Sequence, residues 1–136
     1  TLVASPDLAT ARRIFDSATG LTVAPGGRER TVHDLVAASI LRRWEEANRK
    51  APAAERAEAY YLLGAIALRT TELKPAVPEM ELLFEAAIRA DPKGPFAAPS
   101  YALLEEYGFI NDQHLARGTE GGSLLDMAAL RKLVGP

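Results

Sequence analysis

Ala57 to Pro92 reads AEAYYLLGAIALRTTELKPAVPEMELLFEAAIRADP, and the fold follows from how this stretch is parsed. From Tyr60 to Leu68 the residues are apolar nearly all the way round a helix, so this segment must be buried between neighbours. Gly64 sits in its middle at a cost of ~1 kcal/mol against Ala, which calls for a packing reason such as close approach of the next helix. Pro75 and Pro78 bracket the start of a second helix whose buried stripe is Val77, Met80, Leu83, Phe84, Ala87 and Ile88. A turn follows at Asp91-Pro92-Lys93-Gly94. The first helix spans about Ala53 to Thr70, and Thr71 to Val77 connects the two.

Upstream, Ser5-Pro6-Asp7 combines a capping hydroxyl, a first-turn proline and an acid facing the positive end of the helix dipole. Leu8, Ala11, Phe15 and Ala18 recur at helical spacing, and Gly20 supplies a left-handed stop. Pro25-Gly26-Gly27 marks a loop. Thr31-x-x-Asp34 then resembles a capping box opening a second helix, with Val32, Val36, Ile40, Trp44 and Ala47 as the apolar stripe, supported by Leu35. Arg42, Arg43, Glu45, Glu46 and Arg49 form its solvated face, and Ala51-Pro52 closes it.

Downstream, Gly94-Pro95 and Pro99-Ser100 compete as the start of a fifth helix running to Tyr107. Gly108 stops it, with Phe109 and Ile110 packing back. Asn111 to Gly122 is the longest polar loop. Ser123-x-x-Asp126 caps a short helix using Met127, Leu130, Leu133 and Val134, with Arg131 and Lys132 near its negative end. No segment alternates with period two long enough for a strand, so the expected class is all-α, with about six helices.

The 136 residues form one expected domain, residues 1–136, large enough for a core without disulfides or metals. Hydrophobic residues make up 48% and charged ones 25%, within the globular range. A net charge of −2 gives no electrostatic reason to expect a nucleic acid or an anionic membrane as partner. No apolar run approaches the roughly 20 residues of a membrane span. Without cysteine there are no disulfides, thiolate metal sites or thiol nucleophiles. Ala appears 25 times, and Arg outnumbers Lys 12 to 4, a bias typical of a GC-rich bacterium. The chain starts at Thr1 rather than Met. A segment cut downstream of a signal peptide or lipidated stretch begins this way, and so does a domain from a longer cytosolic protein; the former favours the bacterial periplasm or cell envelope over the cytoplasm.

The chain also resembles itself. Trp44 to Pro52 (WEEANRKAP) aligns on Phe84 to Pro92 (FEAAIRADP) with a shift of 40, and four of nine positions are identical. The same shift places Tyr61 on Tyr101 and Leu63 on Leu103. Each unit then reads as a helix hairpin whose apolar face needs a neighbour. The units are roughly 5–52, 53–94 and 95–134.

Tyr60, Leu63, Gly64, Phe84, Ala87 and Pro92 follow the order of the tetratricopeptide repeat: an aromatic, Leu-Gly, then an aromatic, a small residue and a closing proline. The stretch Ala57 to Pro92 is thus similar to a degenerate tetratricopeptide-repeat-like (TPR-like) unit. The likeness is fainter over Thr31 to Pro52 and absent at both ends. The period of 40 exceeds the family's unit of about 34, Met80 takes a small-residue position, Ala67 replaces an aromatic, and Pro99 trims the fifth helix. The resemblance implies stacked helical hairpins in an α-α superhelix. It also implies a non-enzymatic interaction scaffold, within a bacterial cell-envelope assembly, binding a protein or peptide segment on a concave face. In that family the first helix of each pair lines the groove, which here implies Glu58, Tyr61, Ala65, Leu68, Tyr101 and Glu105.

Two other readings stay open. One is a helical ligand-binding or sensory domain with a small-molecule pocket between the third and fifth helices. The other, ranked last, is an enzyme using His33 or His114 with a carboxylate such as Asp112 or Glu120; exposed histidines are the expected state. No phosphate-binding glycine loop, nucleophile elbow, zinc-protease or calcium-loop pattern occurs. Thr119-Glu120-Gly121-Gly122-Ser123 reads as a flexible loop leading into a helix. No cofactor, metal or catalytic residue is expected. Trp44, Tyr60 and Phe84 are expected in the core.

Overall fold

A computed structural model of the protein describes residues 8–20, 28–69, 77–115 and 127–135. Six helices, and no strand, occur among the described residues: α1 (Leu8–Gly20), α2 (Arg28–Ala47), α3 (Ala53–Arg69), α4 (Val77–Ala90), α5 (Ala97–Leu115) and α6 (Met127–Val134). The all-α expectation holds. No helix among these residues is long and apolar enough to cross a membrane.

The most extensive packing is of α1 along α2 and of α3 along α4. Because α3 is apolar nearly all round, it serves two cores. On one side Leu62, Leu63 and Ile66 meet Leu8 and Ala11 of α1 and Leu41 and Trp44 of α2. On the other, Ala67 joins Met80, Phe84 and Ile88 of α4, Leu104 of α5 and Leu130 of α6. Tyr61 and Leu83 touch both clusters.

Gly64 answers its propensity cost as expected. A Cβ there would stand 2.8 Å from Phe84 Cε1, so the glycine is what lets the Phe84 ring lie directly on the α3 backbone. Phe84 itself is fully buried. The α4 stripe holds at Met80, Phe84, Ala87 and Ile88, with Leu83 half-buried.

Turns explain the junctions. After α2, the Asn48 side chain donates to the Trp44 carbonyl (2.8 Å), Ala51 N–H reaches the Asn48 carbonyl (2.9 Å), and the Pro52 carbonyl accepts from Glu55 and Arg56 to start α3. The expected turn at Asp91 to Gly94 forms, closed by Gly94 N–H on the Asp91 carbonyl (3.0 Å). At the end of α6, Gly135 takes φ +89°, a region most side chains avoid. Its N–H bonds the Arg131 carbonyl at 3.0 Å, and Lys93 Nζ donates to the Val134 carbonyl at 3.3 Å.

Three expectations are corrected. First, α2 begins at Arg28, so Thr31 and Asp34 lie inside the helix rather than forming its capping box. Its inward face is also not the expected stripe: Val32 (57%), Leu35 (59%) and Val36 (46%) are exposed, as is Ala47, while Asp34, Ala37 and Leu41 are buried. At ~100° per residue the buried three lie within about 60° of one another, on the far side of the helix from Val32. Trp44, on the edge common to both rows, is buried as expected.

Second, α5 starts at Ala97, between the two competing signals. Pro99 then falls in the first turn, where its missing N–H has no intrahelical role, so it does not trim the helix. Third, α5 continues through Gly108 to Leu115. A glycine costs ~1 kcal/mol of propensity but does not by itself stop a helix. Asn111 to Leu115, His114 included, are therefore helical rather than loop.

The expected cap at Ser5 to Asp7, the loop at Pro25 to Gly27, most of the connector after Thr70 and the cap at Ser123 to Asp126 lie outside the described residues.

Trp44 and Phe84 each sit on the second helix of a closely packed pair, but in different clusters. The shift of 40 would map Gly64 onto Ala24, so the first unit has no glycine at the position equivalent to the one on which Phe84 lies.

Candidate functional site

Glu58, Tyr61, Ala65 and Leu68 follow helical spacing along one face of α3. Their surroundings differ. Glu58 is buried, with Arg12 of α1 placing Nε (2.7 Å) and Nη2 on its Oε1. It is thus committed to a link between helices. Ala65 is also buried.

Tyr61 is half-buried, its ring 5.9 Å from that of Phe84 and 5.3 Å from that of Phe96, both in tilted contact. Such contacts contribute ~0.5–1.5 kcal/mol each beyond the area they bury. Leu68 and Tyr101 are half-buried against the same α4–α5 cluster, and Glu105 is exposed on α5. Tyr61, Leu68 and Tyr101 therefore share one cluster, while Glu58 belongs to the seam with α1. The rings of Tyr61, Phe84 and Phe96 occupy the region where α3 faces the start of α5.

One polar group with several partners has no counterpart in the sequence reading. Arg69, in the last turn of α3, donates Nε to Asp34 Oδ2 at 3.2 Å and Nη2 to Asp34 Oδ1. Its Nη2 also reaches the Phe15 carbonyl at 3.4 Å, and its guanidinium carbon lies 4.0 Å over the Phe15 ring. One side chain thus ties α3 to both α1 and α2. The Asp34 side chain is 2% exposed and that of Arg69 13%, so the pair is essentially desolvated. An acid flanked by apolar residues, as in Val32-His33-Asp34-Leu35-Val36, is the signal in the sequence, and the Thr31-x-x-Asp34 spacing imitates a cap at the same place.

Tyr60 is half-buried and donates its hydroxyl to Glu45 Oε1 at 3.1 Å. Desolvation by burial, then the bond to Glu45 and its negative charge, raise the Tyr60 pKa above the ordinary 10.0. The phenol is held neutral, as a donor and not as a base. Glu45, expected on a solvated face, is half-buried as its acceptor.

His33 is exposed on α2. No group of three or more His, Cys, Asp or Glu able to hold a metal occurs among the described residues. A cleft of about 510 Å³ is lined by Ala128, Arg131, Lys132 and Gly135 along α6, and none of the aromatic rings of Tyr61, Phe84 and Phe96 lines it.

No protein-family model, no curated protein and no solved structure matches the chain.

Proposed function

We propose that the protein is a non-enzymatic, tetratricopeptide-like interaction scaffold that takes a segment of a partner protein against the α3–α5 surface. The supporting observation is the close approach of Phe84 to Gly64, which locks α3 and α4 into a rigid pair. Tyr61 on that pair and Tyr101 on the neighbouring α5 are half-buried, anchored by ring or apolar contacts. A tyrosine fixed this way offers an apolar ring edge and a hydroxyl with little entropy left to lose, the property that favours Tyr at interface hot spots. Leu68 adds apolar surface, and Glu105, exposed on α5, supplies a charge at the rim.

Site-specific photo-crosslinking in the producing cell tests this reading. A crosslinking residue at Tyr101 or Glu105 is expected to trap one defined protein, with far less product from Glu46 on the exposed face of α2. Equal labelling from all three positions, or none, refutes the reading. Tyr61→Phe, which keeps the ring contacts, is the control for loss of the hydroxyl alone.

A further inference from the structure

The seam between the α1–α2 hairpin and α3 has an apolar centre, where Leu8, Ala11, Leu41 and Trp44 meet Leu62, Leu63 and Ile66, and it also carries charged links. Its polar links are Arg12 to Glu58, Arg69 to Asp34 and to the Phe15 carbonyl, and Tyr60 to Glu45. The seam between α3 and α4 is apolar where Phe84 lies on Gly64 and is continuous with Met80, Ile88 and Leu104. It is also the more extensive.

These seams respond differently to separation. Pulling apart two apolar faces forfeits ~25 cal/mol for each Å² returned to water. Pulling apart an ion pair rehydrates both charges and recovers most of the desolvation cost that burial imposed. A seam of smaller extent, part of whose contact is polar, therefore opens more readily than a larger apolar one. The two sides of this seam are joined by a short natural joint, the turn Asn48–Lys50 followed by Ala51 and Pro52. Proline at that point has no N–H to carry the α2 ladder onward.

We propose that the α1–α2 hairpin is a separately opening cover on α3. It swings away as a unit about Asn48–Pro52 while α3, α4, α5 and α6 stay packed. Opening bares the α3 stripe Ala59, Leu62, Leu63 and Ile66 and releases Glu58 and Arg69 to solvent. This motion does not depend on what the α3–α5 surface binds.

Native-state hydrogen exchange followed by mass spectrometry on the full chain separates this from all-or-none unfolding. Ile88 lies wholly in the cluster that stays closed, so Ile88→Val weakens only what is lost in global unfolding. It is expected to speed exchange of the slowest α4 and α5 amides by ~2- to 12-fold, the factor corresponding to such a truncation. The α1 and α2 amides should keep their wild-type rates. Arg12→Met, which weakens the seam, should speed α1, α2 and α4 by one common factor, because the seam is lost in both kinds of opening. Acceleration of α1 and α2 by Ile88→Val equal to that of α4 overturns the proposal. So does an equal denaturant dependence of exchange in α1 and α4. Ile88→Val is conservative enough to leave the chain folded.

Discussion

Replacing either member of the Asp34–Arg69 pair should be among the most damaging single changes in the chain. Both side chains are almost out of water, and each satisfies the other through two nitrogens and two oxygens. Arg69→Met leaves the Asp34 carboxylate buried without its cation, and Asp34→Leu leaves the Arg69 guanidinium with the Phe15 ring and carbonyl. Stranding one charge of a buried pair costs ~3–5 kcal/mol, a large share of the ~5–15 kcal/mol that holds a domain folded. At ~2 cal/mol/K of unfolding entropy per residue, a chain of 136 residues should lose about 10–17 °C in Tm. The double replacement Asp34→Leu with Arg69→Met removes both charges and leaves neither stranded. It should recover most of the loss, because a well-packed apolar substitute for a buried pair is often neutral or stabilising. Calorimetry or chemical denaturation on all four proteins gives the coupling energy directly. Losses in the two single variants that simply add in the double variant refute the geometry, as does a Tm change of under about 3 °C in Arg69→Met.

Further outcomes follow from other contacts. Gly64→Ala adds ~1 kcal/mol of helix propensity but drives a methyl into the buried Phe84 ring, and overpacking costs ~1–3 kcal/mol, so chemical denaturation should show net destabilisation of about 1 kcal/mol. Combining it with Phe84→Leu should cost less than the two changes separately. The Ser100 hydroxyl is buried without a hydrogen-bond partner among the described residues, so Ser100→Ala should leave denaturant stability unchanged or raise it by up to ~1 kcal/mol. For Tyr60, the folded pKa lies above the unfolded value, so the neutral phenol's contribution is complete below about pH 10 and is lost as pH rises through the folded value. Denaturant titrations above pH 10 should therefore show stability falling more steeply in the wild type than in Tyr60→Phe.

Local chemistry made the helices legible. The apolar girth of Tyr60 to Leu68 announced a helix buried on all sides, and α3 is shared by two clusters. Gly64 announced a close neighbour, and Phe84 is that neighbour. These signals survive because hydrogen-bonded turns and helical spacing depend on residues within a few positions of one another. The errors at α2 and α5 have the same origin: a Thr-x-x-Asp or a glycine looks the same whether or not a helix runs through it. Of the residues assigned to the groove, Tyr61, Leu68 and Tyr101 share a cluster, whereas Glu58 proves to be held by Arg12, 46 residues away.

Sequence alone determined that this chain is helical, which segments carry apolar faces and where α3 must admit another helix. Only the tertiary structure decided which way α2 turns. Between Val32 and Leu41 it carries two rows of candidates, and the buried row is the one containing a charge. That choice depends on Arg69, 35 residues further on, supplying the counter-ion for Asp34. Periodicity reports hydrophobicity along one helix, but the cost of burying a carboxylate depends on what faces it from another.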